Sequence, residues 1–229
     1  MRFGKIDYLN LLPFHVFLKS RPLPTFTKKF IETKKGVPSK LCRDLRAMRV
    51  DAAVISSIES RHKKFAIHPL GIVAQNKVKS VLVRKNSTSK PDPASMSSNM
   101  LARILGLNGE VIIGDNALKA ILSRGEDKFY DMAEIWHKKT NLPFVFGILC
   151  SVKNHEIYAD LAETFLRRNI KIPQYILIKY ARTRGIAEKD ILEYLQLISY
   201  KVGTREMRSL KIFLKKASKF NYKPIKEDL

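Results

Sequence analysis

Short apolar runs, polar breaks and longer stretches at helical spacing alternate along the chain. Phe3 to Asp7 predicts a strand, with Phe3 and Ile6 as its apolar positions. Polar Tyr8 and Asn10 follow where that strand ends. Pro13 and the run Phe14, Val16, Phe17 and Leu18 then predict a helix with proline in its first turn. Thr25 to Ile31 alternates and predicts a second strand, broken by Gly36-Val37-Pro38. From Ser39, a helix cap, the residues Leu41, Cys42, Leu45 and Met48 recur at helical spacing. Asp51 to Ile55 predicts a buried strand that runs out into Ser56, Ser57 and Glu59. Ile67 to Ala74 and Lys79 to Arg84 predict strands around the polar turn Gln75-Asn76.

Lys85 to Pro91 is the most loop-like segment, and a lobe boundary is expected there. Beyond it, Ser95, Ser97, Ser98 and Asn99 open a helix whose apolar face is Met100, Leu101, Ile104 and Leu105. Val111 to Ile113 predicts a buried strand, and Gly114-Asp115-Asn116 leads into a helix with Ala117, Leu118, Ile121 and Leu122. Leu142 to Val152 is one long apolar run, suited to a strand that crosses back between lobes. The remainder reads as four helices that cover the core. Their apolar faces are Ile157, Leu161, Phe165 and Leu166, then Ile191, Leu192, Leu195 and Ile198, then Leu210, Phe213, Leu214 and Ala217.

Strands alternating with helices define an α/β fold with parallel pairing. If the first strand and the Asp51–Ile55 strand are parallel neighbours, Asn10 and Ser56 or Ser57 share one rim, where α/β sheets bind ligands. Asn10 also suits a plain turn, and the serine pair a helix cap. Ser98 and Asp115 are N-caps or ligand contacts. An aspartate facing an anion would repel it, so Asp115 is expected to organise its loop.

Composition narrows the function classes. The chain has 229 residues, enough for one domain or two small lobes, with 45% hydrophobic and 28% charged residues. No apolar run reaches the roughly eighteen residues of a membrane span, and no apolar leader precedes the first strand. Cys42 and Cys150 are isolated in apolar stretches, as expected of free thiols in a cytoplasmic protein. The formal net charge is +22, which raises nucleic-acid binding. The basic residues are spread along the whole chain, however, without a recognised motif or interleaved aromatics, so no nucleic-acid partner is expected. The charge attracts small anions instead.

Walker loop, dinucleotide fingerprint, nucleophile elbow and Cys-x-x-Cys are all missing. The five histidines (His15, His62, His68, His137 and His155) lack metal-ligand spacing, so no metal or cofactor is expected. Hydroxyls, amides, a tyrosine and an aspartate suit recognition of a small carboxylate.

Several ordered motifs carry a resemblance. Gly4-Lys5-Ile6-Asp7-Tyr8-Leu9-Asn10 with Pro13, Val54-Ile55-Ser56-Ser57-Ile58-Glu59 and Lys79-Ser80-Val81-Leu82-Val83 resemble the first lobe of the chorismate dehydratase family. Ser97 to Arg103, Ile113 to Leu118, Trp136 and Thr140 to Gly147 continue it in order. Asn141 and Gly147 stand where Gly and Ala are usual. The resemblance implies a two-lobed, periplasmic-binding-protein-like type II fold with a helical C-terminal segment. Residues 1–84 and 148–229 would form lobe I, and residues 85–147 lobe II, with the ligand cleft between them. It implies dehydration of dianionic chorismate to 3-[(1-carboxyvinyl)oxy]benzoate on the futalosine route to menaquinone. In that reading Ser56, Ser57, Ser97 and Ser98 hold the carboxylates, and Tyr8, Ser80, Asn99 and Asn116 complete substrate binding. Asn10 would orient the ring or stabilise charge at the departing hydroxyl. The proton would pass to the substrate's own carboxylate, to Glu59 or to Asp115. The alternatives are the dihydroxynaphthoate synthase of the same pathway, for which His15 is the nearest histidine, and a non-catalytic binding protein. Neither membrane association nor an oligomeric state is implied.

Overall fold

The computed structural model describes residues 1–220 of the chain. Its elements are β1 (Phe3–Ile6), α1 (Leu12–Ser20), α2 (Thr25–Thr33), β2 (Lys35–Gly36), α3 (Pro38–Arg46), β3 (Ala52–Ser56), β4 (Ala66–Ala74) and β5 (Val81–Arg84). They continue with α4 (Met96–Leu105), β6 (Val111–Ile113), α5 (Gly114–Arg124), β7 (Phe129–Asp131), α6 (Met132–Thr140) and β8 (Phe144–Ser151). The last are α7 (His155–Leu166), α8 (Gln174–Arg184), α9 (Glu188–Gln196), β9 (Ile198–Lys201) and α10 (Thr204–Ser218). Tight helical turns at Leu9–Leu11 and Ser57–Arg61 follow β1 and β3.

Six strands form one sheet in the order β2-β1-β3-β8-β4-β9, and a smaller sheet has the order β6-β5-β7. β1 is parallel to β3, as expected, while β8 is antiparallel to both β3 and β4. β5 pairs with β6 and β7, so the chain leaves the large sheet between Ala74 and Val81. That is ahead of the Lys85–Pro91 loop where the lobe change was expected. The return comes where β8 begins at Phe144.

Two aromatic clusters anchor the elements around the sheets. Phe14 of α1 meets Phe165 of α7 edge-on at 5.0 Å and Phe3 of β1 at 5.7 Å. Phe144 meets Phe213 of α10 at 4.9 Å and Trp136 of α6 at 5.3 Å, each edge-on, an arrangement that aromatic quadrupoles favour. The Trp136 indole N–H donates to Ser209 Oγ at 3.0 Å, which ties α10 to α6.

Several sequence expectations are overturned, among them the apolar-face placement of Met48 and Leu122, which are exposed. Thr25–Thr33 is a helix, because the buried positions are Thr27 and Ile31, four apart, while Phe26 is 73% exposed. The tail is not wholly helical. Helix α9 ends at Gln196, and Ile198–Lys201 pairs as an edge strand with β4 (Leu70↔Lys201, Ala74↔Ile198). Ile157 and Leu192 are exposed, and the burial on their helices falls to Tyr158 and Tyr194 instead.

Candidate functional site

Because β1 and β3 run parallel, their carboxyl ends meet at one edge of the large sheet. The smaller sheet lies across from that edge, and a narrow cleft separates them. Tyr8, Asn10 and Ser56 line it from the large-sheet side, and Ser95, Ser98 and Gly114 from the other. Ile72 and Phe146 provide apolar wall. Helices α3, α4 and α5 meet the cleft at their N-termini, through Pro38, Ser95 with Ser98, and Gly114. Unsatisfied N–H groups and helix dipoles at such ends favour anions.

Asn10 and Ser56 are 8% and 2% exposed, and Asn10 Oδ1 and Ser56 Oγ have no hydrogen-bond partner among the described residues. Leaving such atoms unpaired costs about 1–3 kcal/mol each, so their place on a cleft wall marks them for a ligand. The backbone of Asn10 is held from behind, where the Tyr200 hydroxyl of β9 donates to its carbonyl at 2.8 Å. Ser95 caps α4 by accepting from the Ser98 N–H at 3.3 Å, and the two hydroxyls share a hydrogen bond at 2.9 Å. Ser98 is therefore not the cap. Tyr8 packs its ring on Gly114, where a Cβ would come within 3.1 Å of it. Burial, and then the charges of Asp92 and Asp115, push its phenol up to about 12, so Tyr8 is a neutral donor at ordinary pH.

Several expected site residues serve as clasps across the cleft. Ser57 and Ser97 share a hydrogen bond at 3.1 Å, and Ser97 Oγ also accepts from the Ile58 N–H at 3.0 Å. Asp115 accepts from the Leu9 N–H at 2.9 Å and pairs with Arg184 Nε at 2.8 Å. Arg184 in turn donates to the Asp7 carbonyl at 2.9 Å. Asp115 thus organises the turn that carries Asn10, as its charge suggested. Ser80 accepts from the Tyr194 hydroxyl at 2.9 Å and Asn99 is bonded to the Asp92 backbone, both off the cleft wall. Asn116 is exposed, also off the wall. Glu59 is buried against Arg46 and Cys42. No acid, histidine, lysine or arginine is on the cleft wall among the described residues. Nor is any group of three or more His, Cys, Asp or Glu placed to hold a metal there.

Ser95, Ile72 and Phe146 are among the wall residues that the sequence did not single out as site residues. Ser95 was legible as a hydroxyl before a helix, but only the turn that brings it beside Ser98 puts it in the cleft.

Two sheets with a ligand cleft between them define the periplasmic-binding-protein class of fold. Similar solved structures agree. Protein AF1704 from Archaeoglobus fulgidus has a TM-score of 0.69 at 12% identity, over 96% of this chain and 97% of that one. The periplasmic aliphatic sulphonate binding protein SsuA from Escherichia coli has a TM-score of 0.56 at 14% identity, over 100% and 94%. The sequence carries the match further. Residues 1–106 and 84–219 fit the family described as "Menaquinone biosynthesis", and the chain belongs to that family. It is 49% identical over 222 residues to the chorismate dehydratase of Campylobacter jejuni subsp. jejuni serotype O:23/36 (strain 81-176), covering 96% of this chain and 99% of the relative. Among the described residues no helix is long and apolar enough to cross a membrane.

Proposed function

We propose that the chain is a chorismate dehydratase, a hydro-lyase that converts chorismate to 3-[(1-carboxyvinyl)oxy]benzoate and water in menaquinone biosynthesis. The observation that carries this reading is the pair of buried, unpartnered side-chain oxygens, Asn10 Oδ1 and Ser56 Oγ, on a cleft met by three helix N-termini. The 49% identity to a chorismate dehydratase supports the same substrate.

The reaction breaks the ring C–OH bond and the C–H bond of the neighbouring carbon that bears the enolpyruvyl ether. The electron pair of the C–H bond becomes ring π density, hydroxide leaves, and the proton and hydroxide appear as water. Aromaticity makes the step downhill, and the barrier lies in removing a weakly acidic hydrogen. No protein carboxylate lines the cleft among the described residues, since Glu59 faces Arg46 and Asp115 faces Leu9 and Arg184. The substrate's own enolpyruvyl carboxylate takes the proton in this scheme. Helix ends and the Ser56, Ser95 and Ser98 hydroxyls hold the two carboxylates, and the Asn10 amide steadies charge at the departing hydroxyl. The hydroxyls of Ser57 and Ser97, paired with each other, hold the cleft walls together rather than the substrate.

Asn10→Ala tests the assignment. Losing a preorganised hydrogen-bonding group costs about 10²–10³ in kcat. The variant is expected to lose that much turnover of chorismate while KM moves by less than about tenfold. Turnover near the wild-type rate in a folded Asn10→Ala protein would remove Asn10 from the chemistry.

A further inference from the structure

A second cavity lies between α1 and α2, behind the strand that leads to Asn10, and measures about 230 Å³. His15 of α1 lines it, is 3% exposed, and has no hydrogen-bond partner at either ring nitrogen among the described residues. Burial, and then the Lys5 charge, hold this imidazole well below its usual range. It is therefore neutral, with one nitrogen donating and one accepting. Two buried, unanswered nitrogens on a residue that lines the cavity call for a polar group from outside.

Charge around the cavity shows the sign of that group. Lys5, Lys19 and Lys28 line it, with Glu32 as the single carboxylate. Glu32 is already matched by Lys5 at 3.2 Å, Lys19 at 3.6 Å and Lys35 at 2.7 Å. Burial raises its carboxyl, but these lysines outweigh burial and bring it to about 2. Three lining cations against one anion leave two positive charges in excess. The rest of the wall is Leu18, Leu23 and Ile31.

We propose that this cavity binds a small monocarboxylate with an apolar body, at a site separate from the substrate cleft. The apolar part packs on Leu18, Leu23 and Ile31, and the carboxylate accepts from the His15 ring N–H under the field of Lys19 and Lys28. Occupancy bears on the cleft through the chain itself, because Lys5 lies three residues before Tyr8 and His15 five after Asn10. Both ends of the turn that presents Asn10 thus contribute to this second cavity.

The test uses octanoate on the full chain without chorismate, so that its failure says nothing against the dehydratase reading. Histidine-labelled protein is followed by NMR, with the His15 ring signal identified by its loss in His15→Gln. Octanoate at millimolar concentration is expected to shift the His15 signal and to give calorimetric heat. Binding should weaken about tenfold or more in His15→Phe, which keeps a ring of similar size but removes the nitrogens, and in Lys28→Glu, an exposed rim change that reverses a charge. Should His15→Phe fail to fold, Lys28→Glu carries the test. No His15 shift, or octanoate bound equally by wild type and Lys28→Glu, would overturn the proposal.

Discussion

Replacing Arg184 by methionine would remove the cation that joins Asp7, Asp115 and the turn bearing Asn10. Its side chain is 24% exposed and that of Asp115 13%, so this pair lies between two regimes. Stranding one partner of a fully buried pair costs about 3–5 kcal/mol, and an exposed pair contributes about 0–1. Asp115 would keep the Leu9 N–H, which places the loss near 2 kcal/mol at neutral pH. The pH dependence is the sharper part. Burial already raises the Asp115 carboxyl, with Leu9 N–H and Arg184 pulling it back, and without Arg184 it rises further. A folded-state acid raised above its unfolded value destabilises the fold once pH exceeds the unfolded value. The penalty disappears as pH falls and the group is protonated in both states. Urea unfolding of wild type, Arg184→Met, Asp115→Asn and the double variant at about pH 7 and about pH 4 reads this directly. Arg184→Met should lose about 2 kcal/mol at the higher pH and under about 1 at the lower, relative to wild type in each buffer. The double variant should fall short of additivity by about 1 kcal/mol or more. Equal losses at both pH values with additive single effects would refute the clasp.

Further outcomes follow from other contacts. Ser97→Ala strands the buried Ile58 N–H and should cost about 1–3 kcal/mol, while Ser57→Ala leaves that bond in place and should cost less, a contrast visible in denaturant midpoints. Gly71→Ala would put a Cβ 2.5 Å from the Gly147 carbonyl oxygen, forcing β4 from β8 beside the cleft. A loss of about 2–3 kcal/mol in thermal or urea unfolding is expected, with a raised KM for chorismate. Trp136→Phe removes the donor to Ser209 and part of the α6–α10 contact, and should cost about 2–4 kcal/mol by the same measurement.

The strand-to-turn geometry at Asn10 and Ser56 was legible because both strands are short, apolar and followed at once by polar groups. Parallel pairing then did what the pattern implied. Thr25 to Ile31 misled because Phe26 and Phe30 suggest alternation, whereas Phe26 faces solvent and Thr27 shares the buried face with Ile31. Ile198 to Lys201 was read as helix because Ile198 extends the spacing of Ile191 and Leu195. Its pairing with β4 lies more than a hundred residues away in sequence, beyond any local pattern. Within the cleft, the hydrogen-bond partners of the serines were not visible in the sequence. Ser57 and Ser97 have the same chemistry as Ser56 and Ser98, and only the tertiary contact that pairs the first two leaves the second two on the wall. The pairing of Glu59 with Arg46 of α3 joins residues thirteen apart and has no signal in the local pattern.

The cleft around Asn10 and Ser56 is proposed to remove water from chorismate. The most direct measurement incubates the purified full chain with chorismate and follows the mixture by mass spectrometry and ultraviolet absorbance. Chorismate should be consumed, with a product lighter by one water and carrying an aromatic chromophore, and Asn10→Ala protein should form it far more slowly. Chorismate bound tightly but recovered unchanged would rule out dehydration in this cleft and make it a receptor.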